Sequence, residues 1–115
     1  MDYRKISDFE INVNVAYKLY AMGVVNKVLI PDTPNKISGV QLMHEGEWRW
    51  FDPCNNPADA WPIIEKQGIS IKHVVVNCHE QTWRASFAPD YVKHKYTDKN
   101  PLRAAMVVFL MLQNI

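Results

Sequence analysis

The 115-residue chain is short of the features that usually betray a chemistry. It has only two cysteines, Cys54 and Cys78. Two thiols make no disulfide framework, so both are expected to stay reduced, and the expected location is the cytoplasm. Charge of one sign is also lacking: 13 Lys and Arg against 12 Asp and Glu leave a net charge of +1. The cations are scattered along the chain, and no polybasic tract marks nucleic acid or an anionic membrane as a partner. No apolar run approaches the roughly 20 residues that span a bilayer, so no membrane association is expected. Met1-Asp2-Tyr3-Arg4-Lys5 lacks the apolar stretch that follows the charges of a signal peptide, and none is expected. Paired metal ligands such as C-x-x-C or H-x-x-x-H are missing too. Cys78 and His79 are adjacent, which on a strand points them apart, and no second pair exists. No metal and no cofactor is therefore expected. There is no internal repeat and no low-complexity segment.

What is present describes one globular α+β domain over residues 1–115, with 48% hydrophobic and 22% charged residues. Its organising stretch is Asn100 to Ile115. Asn100 is a good N-cap and Pro101 suits the first helical position, where a missing N–H costs nothing. Leu102, Ala105, Met106, Phe109, Leu110 and Gln113 recur at helical spacing, while Ala104, Val107, Val108, Met111 and Leu112 cover most of the remaining surface. A helix apolar nearly all round, and too short to cross a bilayer, belongs in a core with cover on more than one side.

At the other end, Ser7-Asp8-Phe9-Glu10 has the form of a capping box, with Ile6 and Ile11 at the staple positions. The helix it opens should run to Ala21 or Met22 and stop at Gly23. Ile11, Val15, Leu19 and Met22 define its buried stripe, widened by Phe9, Val13, Ala16 and Tyr20, with Asn14 and Lys18 on the wet side. Strands are expected from Val24 to Ile30, Ser38 to Met43 and Glu47 to Phe51, with turns at Asp32-Thr33-Pro34-Asn35 and His44-Glu45-Gly46-Glu47. Trp48 and Trp50 fall on one face of the third, Arg49 on the other. Asn56-Pro57 repeats the cap-and-proline device, opening a second helix that ends at Gly68. Pro62 either kinks that helix or moves its start to near Trp61. Ile69 to Val76 and Thr82 to Phe87 form a hairpin, the second strand ending at Pro89. Asp90 to Lys99 reads as a long basic connection carrying Tyr91 and Tyr96. The order is α-β-β-β-α-β-β-α: three helices and an antiparallel sheet of about five strands, with the C-terminal helix central.

Within this frame the stretch from Asp52 to Trp61 is the best candidate site. The plainer reading is that Asn55, Asn56 and Asp59 cap and shape a tight turn, with Trp61 in the core. The sharper one is that Asp52, Cys54, Asn55, Asn56 and Asp59 ring a binding pocket floored by Trp61. Cys54 stands just before a helix start, which favours a thiolate, but Asp52 and Asp59 oppose one, and a structural thiol is the better reading. Arg103 is the lone charge in the first turn of the greasy helix. It either pairs with a carboxylate, Asp52 or Asp59, or snorkels to water. Lys93-His94-Lys95-Tyr96 and Lys99 mix bases and aromatics as single-strand binders do, although a solvated connection explains them as well. Arg49 and Arg84 would add to a basic surface if both lay on the open face of a sheet.

Three stretches carry a family resemblance: Asp2-Tyr3 with Ser7-Asp8-Phe9-Glu10-Ile11-Asn12, then Asp52-Pro53-Cys54-Asn55-Asn56-Pro57-Ala58-Asp59-Ala60-Trp61-Pro62-Ile63-Ile64, then Asn100 to Met111. Together they resemble the NinX-like family of small proteins from lambdoid and related phages and prophages. The resemblance runs through the chain in order, loosely between Gly23 and Trp50. It implies a phage accessory protein from the region of small accessory and recombination genes; no catalytic activity is assigned to the family, and the resemblance leaves the mechanism open. The leading expectation is a small non-catalytic module that binds a host or phage protein. Its four tryptophans exceed what such a core must have, and Trp with Arg is typical of interface hot spots. The alternative is a nucleic-acid-binding accessory of recombination or replication. A small enzyme using Asp52, Cys54 and Asp59 ranks last. An exposed aromatic sheet face would also permit a homodimer.

Overall fold

The computed structural model describes residues 2–30, 39–87 and 93–113. The turn expected at Asp32 to Asn35 lies outside these residues, as do Ser38, Pro89, Asp90 and Tyr91. The elements run α1 (Asp8–Ala21), β1 (Lys27–Leu29), β2 (Val40–His44), β3 (Glu47–Phe51), α2 (Pro57–Gln67), β4 (Ile69–Asn77), β5 (Glu80–Phe87), β6 (Lys95–Asp98) and α3 (Pro101–Gln113).

The helix ends follow local chemistry. Ser7 Oγ accepts from the Glu10 N–H at 3.1 Å, and α1 closes before Gly23, at φ 77°. Asn56 Oδ1 accepts from the Ala58 N–H at 3.0 Å, and α2 ends on Gly68 in the left-handed conformation. Asn100 Oδ1 accepts from the N–H groups of Leu102 and Arg103 at 2.9 and 3.3 Å. Pro62 neither breaks α2 nor delays its start: the helix is continuous from Pro57. The bond that Pro62 cannot make would have gone to the Ala58 carbonyl. Ala58 and Pro62 are both exposed, so that carbonyl lies on the water side of the helix.

The strands form two antiparallel sheets of three, ordered β1-β2-β3 and β4-β5-β6, and not one sheet of five. The nature of α3 explains the division. Every residue from Ala104 to Leu110 is buried, so the helix needs apolar cover all round, and one sheet can cover only one side. The second sheet takes that side, while α1 and α2 pack on α3 elsewhere and α1 in turn carries the first sheet. The sixth strand, β6, lies inside the stretch expected to be a loop. Its charges hid a period of two, in which Tyr96 and Asp98 are half-buried and Lys95 and Thr97 exposed. The first strand is shorter than expected, only Lys27–Leu29. The buried stripe of α1 also turns: Asn12 is buried with Ile11, Val15, Ala16 and Leu19, while Tyr20 and Met22 are exposed. A single hydrophobic cluster joins residues of all three helices and both sheets.

Candidate functional site

The Asp52–Asp59 turn sits where the starts of all three helices converge, and its polar groups bind to one another. Asn12, fully buried in α1, donates from Nδ2 to Asp52 Oδ1 at 2.7 Å and accepts the Cys54 N–H on Oδ1 at 3.2 Å. Asp59 Oδ2 accepts the Asp52 N–H at 2.9 Å, and its other oxygen lies 3.7 Å from Arg49 Nη1. Asn55 Nδ2 reaches Asp52 Oδ1 at 3.1 Å and Asp8 Oδ2 at 3.2 Å. Asn100, besides capping α3, donates from Nδ2 to the Cys54 carbonyl at 2.6 Å. One turn is thereby tied to the first turns of α1, α2 and α3.

Arg103 is the second tie. Its side chain is 11% exposed, and its partners are Asp8 and Asp98 and not Asp52 or Asp59 as expected. Nη1 donates to Asp8 Oδ1 at 2.6 Å, Nη2 donates to the carbonyls of Tyr3 and Ile6 at 2.7 and 2.6 Å, and Nε lies 3.3 Å from Asp98 Oδ2. The start of α3 abuts the start of α1, so these acceptors reach the guanidinium while Asp52 and Asp59 are engaged in the turn. Burial pulls the Arg103 pKa down, but the hydrogen bond and charge of Asp8, with Asp98, outweigh it and raise the value overall.

The turn brings Asp52, Cys54, Asn55, Asn56 and Asp59 together but leaves Trp61 out. Trp61 is 57% exposed on α2, on the surface and not in the core. A small cavity of about 130 Å³ does lie nearby, lined by Leu19, Phe51, Ile63 and Phe109 with Arg49 and Asp59 at one side. Asp59 is the one member of the expected set that touches it. Cys54 is fully buried; burial first, then Asp8, push its thiol far above the ordinary value, which is the reverse of nucleophile activation. Cys78 is exposed at the β4–β5 turn. Thiol labelling of the folded protein should therefore modify Cys78 quickly, with Cys54 at least about 100-fold slower until denaturant is added. Equal rates, followed by mass spectrometry of the labelled peptides, would show the thiols to be equivalent.

Sequence reading missed Asn12, Asp8 and Asp98 as members of this cluster. Asn12 was detectable: with Val15, Ala16 and Leu19 it has the spacing of one helix face, so a polar side chain was being turned inward. Asp98 is hidden in the sequence because the charges from Lys93 to Lys99 conceal the strand that holds it. Among the described residues, no three His, Cys, Asp or Glu side chains are grouped as a metal site requires, and no helix is long and apolar enough to cross a membrane.

The other concentration of unusual residues is on the outer face of the first sheet. The register puts Leu29, Gln41 and Trp50 in one row and Lys27, Met43 and Trp48 in the next. Val28, Leu42 and Arg49 form the alternate row on the opposite face, where Leu42 is buried and Arg49, still exposed, reaches toward Asp59. Trp48 is 45% exposed and Trp50 54%. Tyr17 and Tyr20 of α1, both exposed, line a shallow groove with Leu29 and Trp48 that extends this aromatic surface.

In comparison with known proteins, a family model described as bacteriophage P22, NinX matches residues 2–113. No curated protein and no solved structure matches the chain.

Proposed function

The chain belongs to the bacteriophage P22 NinX family, and from that premise we propose that it is a non-catalytic accessory module. In this reading it docks another protein, of host or phage origin, through the aromatic outer face of the β1-β2-β3 sheet, in the host cytoplasm. The observation that carries the reading is the pair of half-exposed tryptophans, Trp48 and Trp50, beside Leu29 and Met43. Leaving that much aromatic surface in water is unfavourable, and contiguous exposed apolar area of this kind marks interaction surfaces. Tryptophan is also the side chain most enriched among binding hot spots.

The Asp52–Asp59 turn is assigned the plainer role in this reading: its carboxylates and amides hold the helix starts together. Catalysis is disfavoured because Cys54 is buried with its pKa raised, and because Asp52 and Asp59 already accept internal hydrogen bonds.

The test is affinity capture from nuclease-treated lysate of phage-infected host cells, with wild type, Trp48→Ser and Trp50→Ser side by side. The expected result is a stoichiometric protein that each substitution weakens by about 30-fold or more, the loss of a hot spot worth about 2 kcal/mol. Stability should move by less than about 1 kcal/mol, because both side chains lie on an open sheet face. A partner captured equally by the variants would refute the docking face. A concentration-dependent dimer abolished by the same substitutions would assign the face to a second copy instead.

A further inference from the structure

The second sheet also has an open face, of opposite character. α3 packs on the side bearing Ile69, Ile71, Ala85 and Tyr96. On the other side the register places Lys72 directly opposite Arg84, and Arg84 opposite Thr97; the next row is Ser70, Ser86 and Lys95. Lys99 follows β6 in the same alternation as Lys95 and Thr97, and shares a shallow groove with Thr82. Lys72, Arg84, Lys95 and Lys99 are exposed, and among the described residues none of the four has an ion-pair partner. The acid in β6, Asp98, is turned to the opposite face and bound to Arg103. Glu80, at the hairpin tip, is the one carboxylate on the basic side within these strands.

This arrangement works against the fold. Like charges directly across a strand pair repel, and Lys72–Arg84 is such a pair, with Lys95 diagonal to Arg84. A chain with net charge +1 has acids to spare for neutralising such a face, yet they lie elsewhere.

We propose that the open face of the β4-β5-β6 sheet binds the phosphate backbone of nucleic acid without regard to sequence. The cations supply the charge, and the hydroxyls of Ser70, Thr82, Ser86 and Thr97 between them supply the short hydrogen-bond donors that phosphate contacts use. At about 3.3 Å per residue, Lys95 to Lys99 spans roughly 13 Å, room for several phosphates of a strand carrying one charge per about 3.4 Å. Among the described residues the large apolar side chains of this face are Val74 and Val76, with no Phe, Tyr or Trp, so it lacks the aromatic anchors typical of protein interfaces and the aromatic platforms that stack bases. The face is separate from the aromatic one, and the two readings stand or fall independently.

Fluorescence anisotropy with labelled 20-nucleotide single strands and 20-base-pair duplexes tests this. Binding is expected at 50 mM KCl and should weaken roughly 60-fold by 200 mM, the salt dependence of about three to four phosphate contacts. Lys72→Thr/Arg84→Thr should bind at least about tenfold more weakly, with a salt slope lower by about 2, and should melt no lower than wild type, since it removes a repulsion. Lys5→Thr/Lys66→Thr, which removes the same charge elsewhere, and Trp48→Ser/Trp50→Ser should bind as wild type does. The proposal is overturned if nothing binds at 50 mM KCl, or if Lys5→Thr/Lys66→Thr is as impaired as the face variant. It is also overturned if polyglutamate competes as well as nucleic acid of equal charge, which would make an acidic protein the ligand.

Discussion

Replacing Arg103 by Met should destabilise the protein by about 3 kcal/mol and lower its melting temperature by roughly 12 °C. Breaking a buried ion pair costs about 3–5 kcal/mol because the surviving partner stays in low dielectric without a counter-charge. The lower end applies here, since Asp8 and Asp98 are 33% and 22% exposed and water can partly replace the guanidinium. Met fills the volume, so the loss is in charge and hydrogen bonding and not in packing. Four acceptors lose their donor together: the two carboxylates and the carbonyls of Tyr3 and Ile6. Arg103→Lys should recover less than half of the loss, because one ammonium cannot address acceptors arranged for a planar fork. Arg103→Met and Asp8→Ala should be clearly less than additive, as expected for partners in contact. A melting temperature within 3 °C of wild type for Arg103→Met would mean that the pair contributes little, as most exposed ion pairs do.

The second large effect is expected at Asn12. Asn12→Leu keeps the side-chain shape but removes the acceptor for the Cys54 N–H and the donor to Asp52, in a place where Asn12 and Cys54 have no access to water. Removing one partner of a buried hydrogen bond costs the desolvation of the group left behind, about 1–3 kcal/mol for a neutral group and more for a carboxylate. A loss of about 3 kcal/mol in urea unfolding, with an unchanged slope against denaturant, is the expected outcome. Asn12→Asp should be worse still, since it places a second carboxylate oxygen where the amide now meets Asp52 at 2.7 Å. If Asn12→Leu cost less than about 1 kcal/mol, Asp52 and the Cys54 N–H would have found other partners and the cluster would be redundant. Both variants should leave binding at the two sheet faces unchanged wherever the protein remains folded.

Much of this chain is legible one element at a time. Ser7, Asn56 and Asn100 cap their helices through bonds that span two or three residues, and Gly23 and Gly68 end helices through their own φ freedom. The alternation of Glu47 to Phe51 places Trp48 and Trp50 outward and Phe51 inward by parity alone. The all-round apolar character of the last helix requires that it be central. The motifs at Asp52–Ile64 and Asn100–Met111 point to the correct family, and within the first of them Asp52, Asn55 and Asp59 join one hydrogen-bonded cluster while Asn56 caps α2. In each case the deciding energy lies within a turn or two of chain, so composition and spacing carry it.

What remained hidden depends on residues far apart in sequence. Arg103 chose Asp8, 95 positions away, because α3 starts beside α1, and no local rule ranks that carboxylate above Asp52. Asn12 and Asp52, 40 positions apart, became partners because α1 packs over the turn. The split into two sheets follows from the need to cover α3 on all sides, a demand of the assembled core and not of any strand. β6 exists because β5 offers an edge for Tyr96 and Asp98 to pair along, and their charged neighbours conceal it in the sequence. The basic face of Lys72, Arg84, Lys95 and Lys99 is likewise collected from three strands by register, so a chain with scattered cations and a net charge of +1 acquires a field that its sequence does not display. Local propensity and capping are properties of neighbouring residues; partner choice, sheet membership and surface charge exist only once distant residues share a neighbourhood.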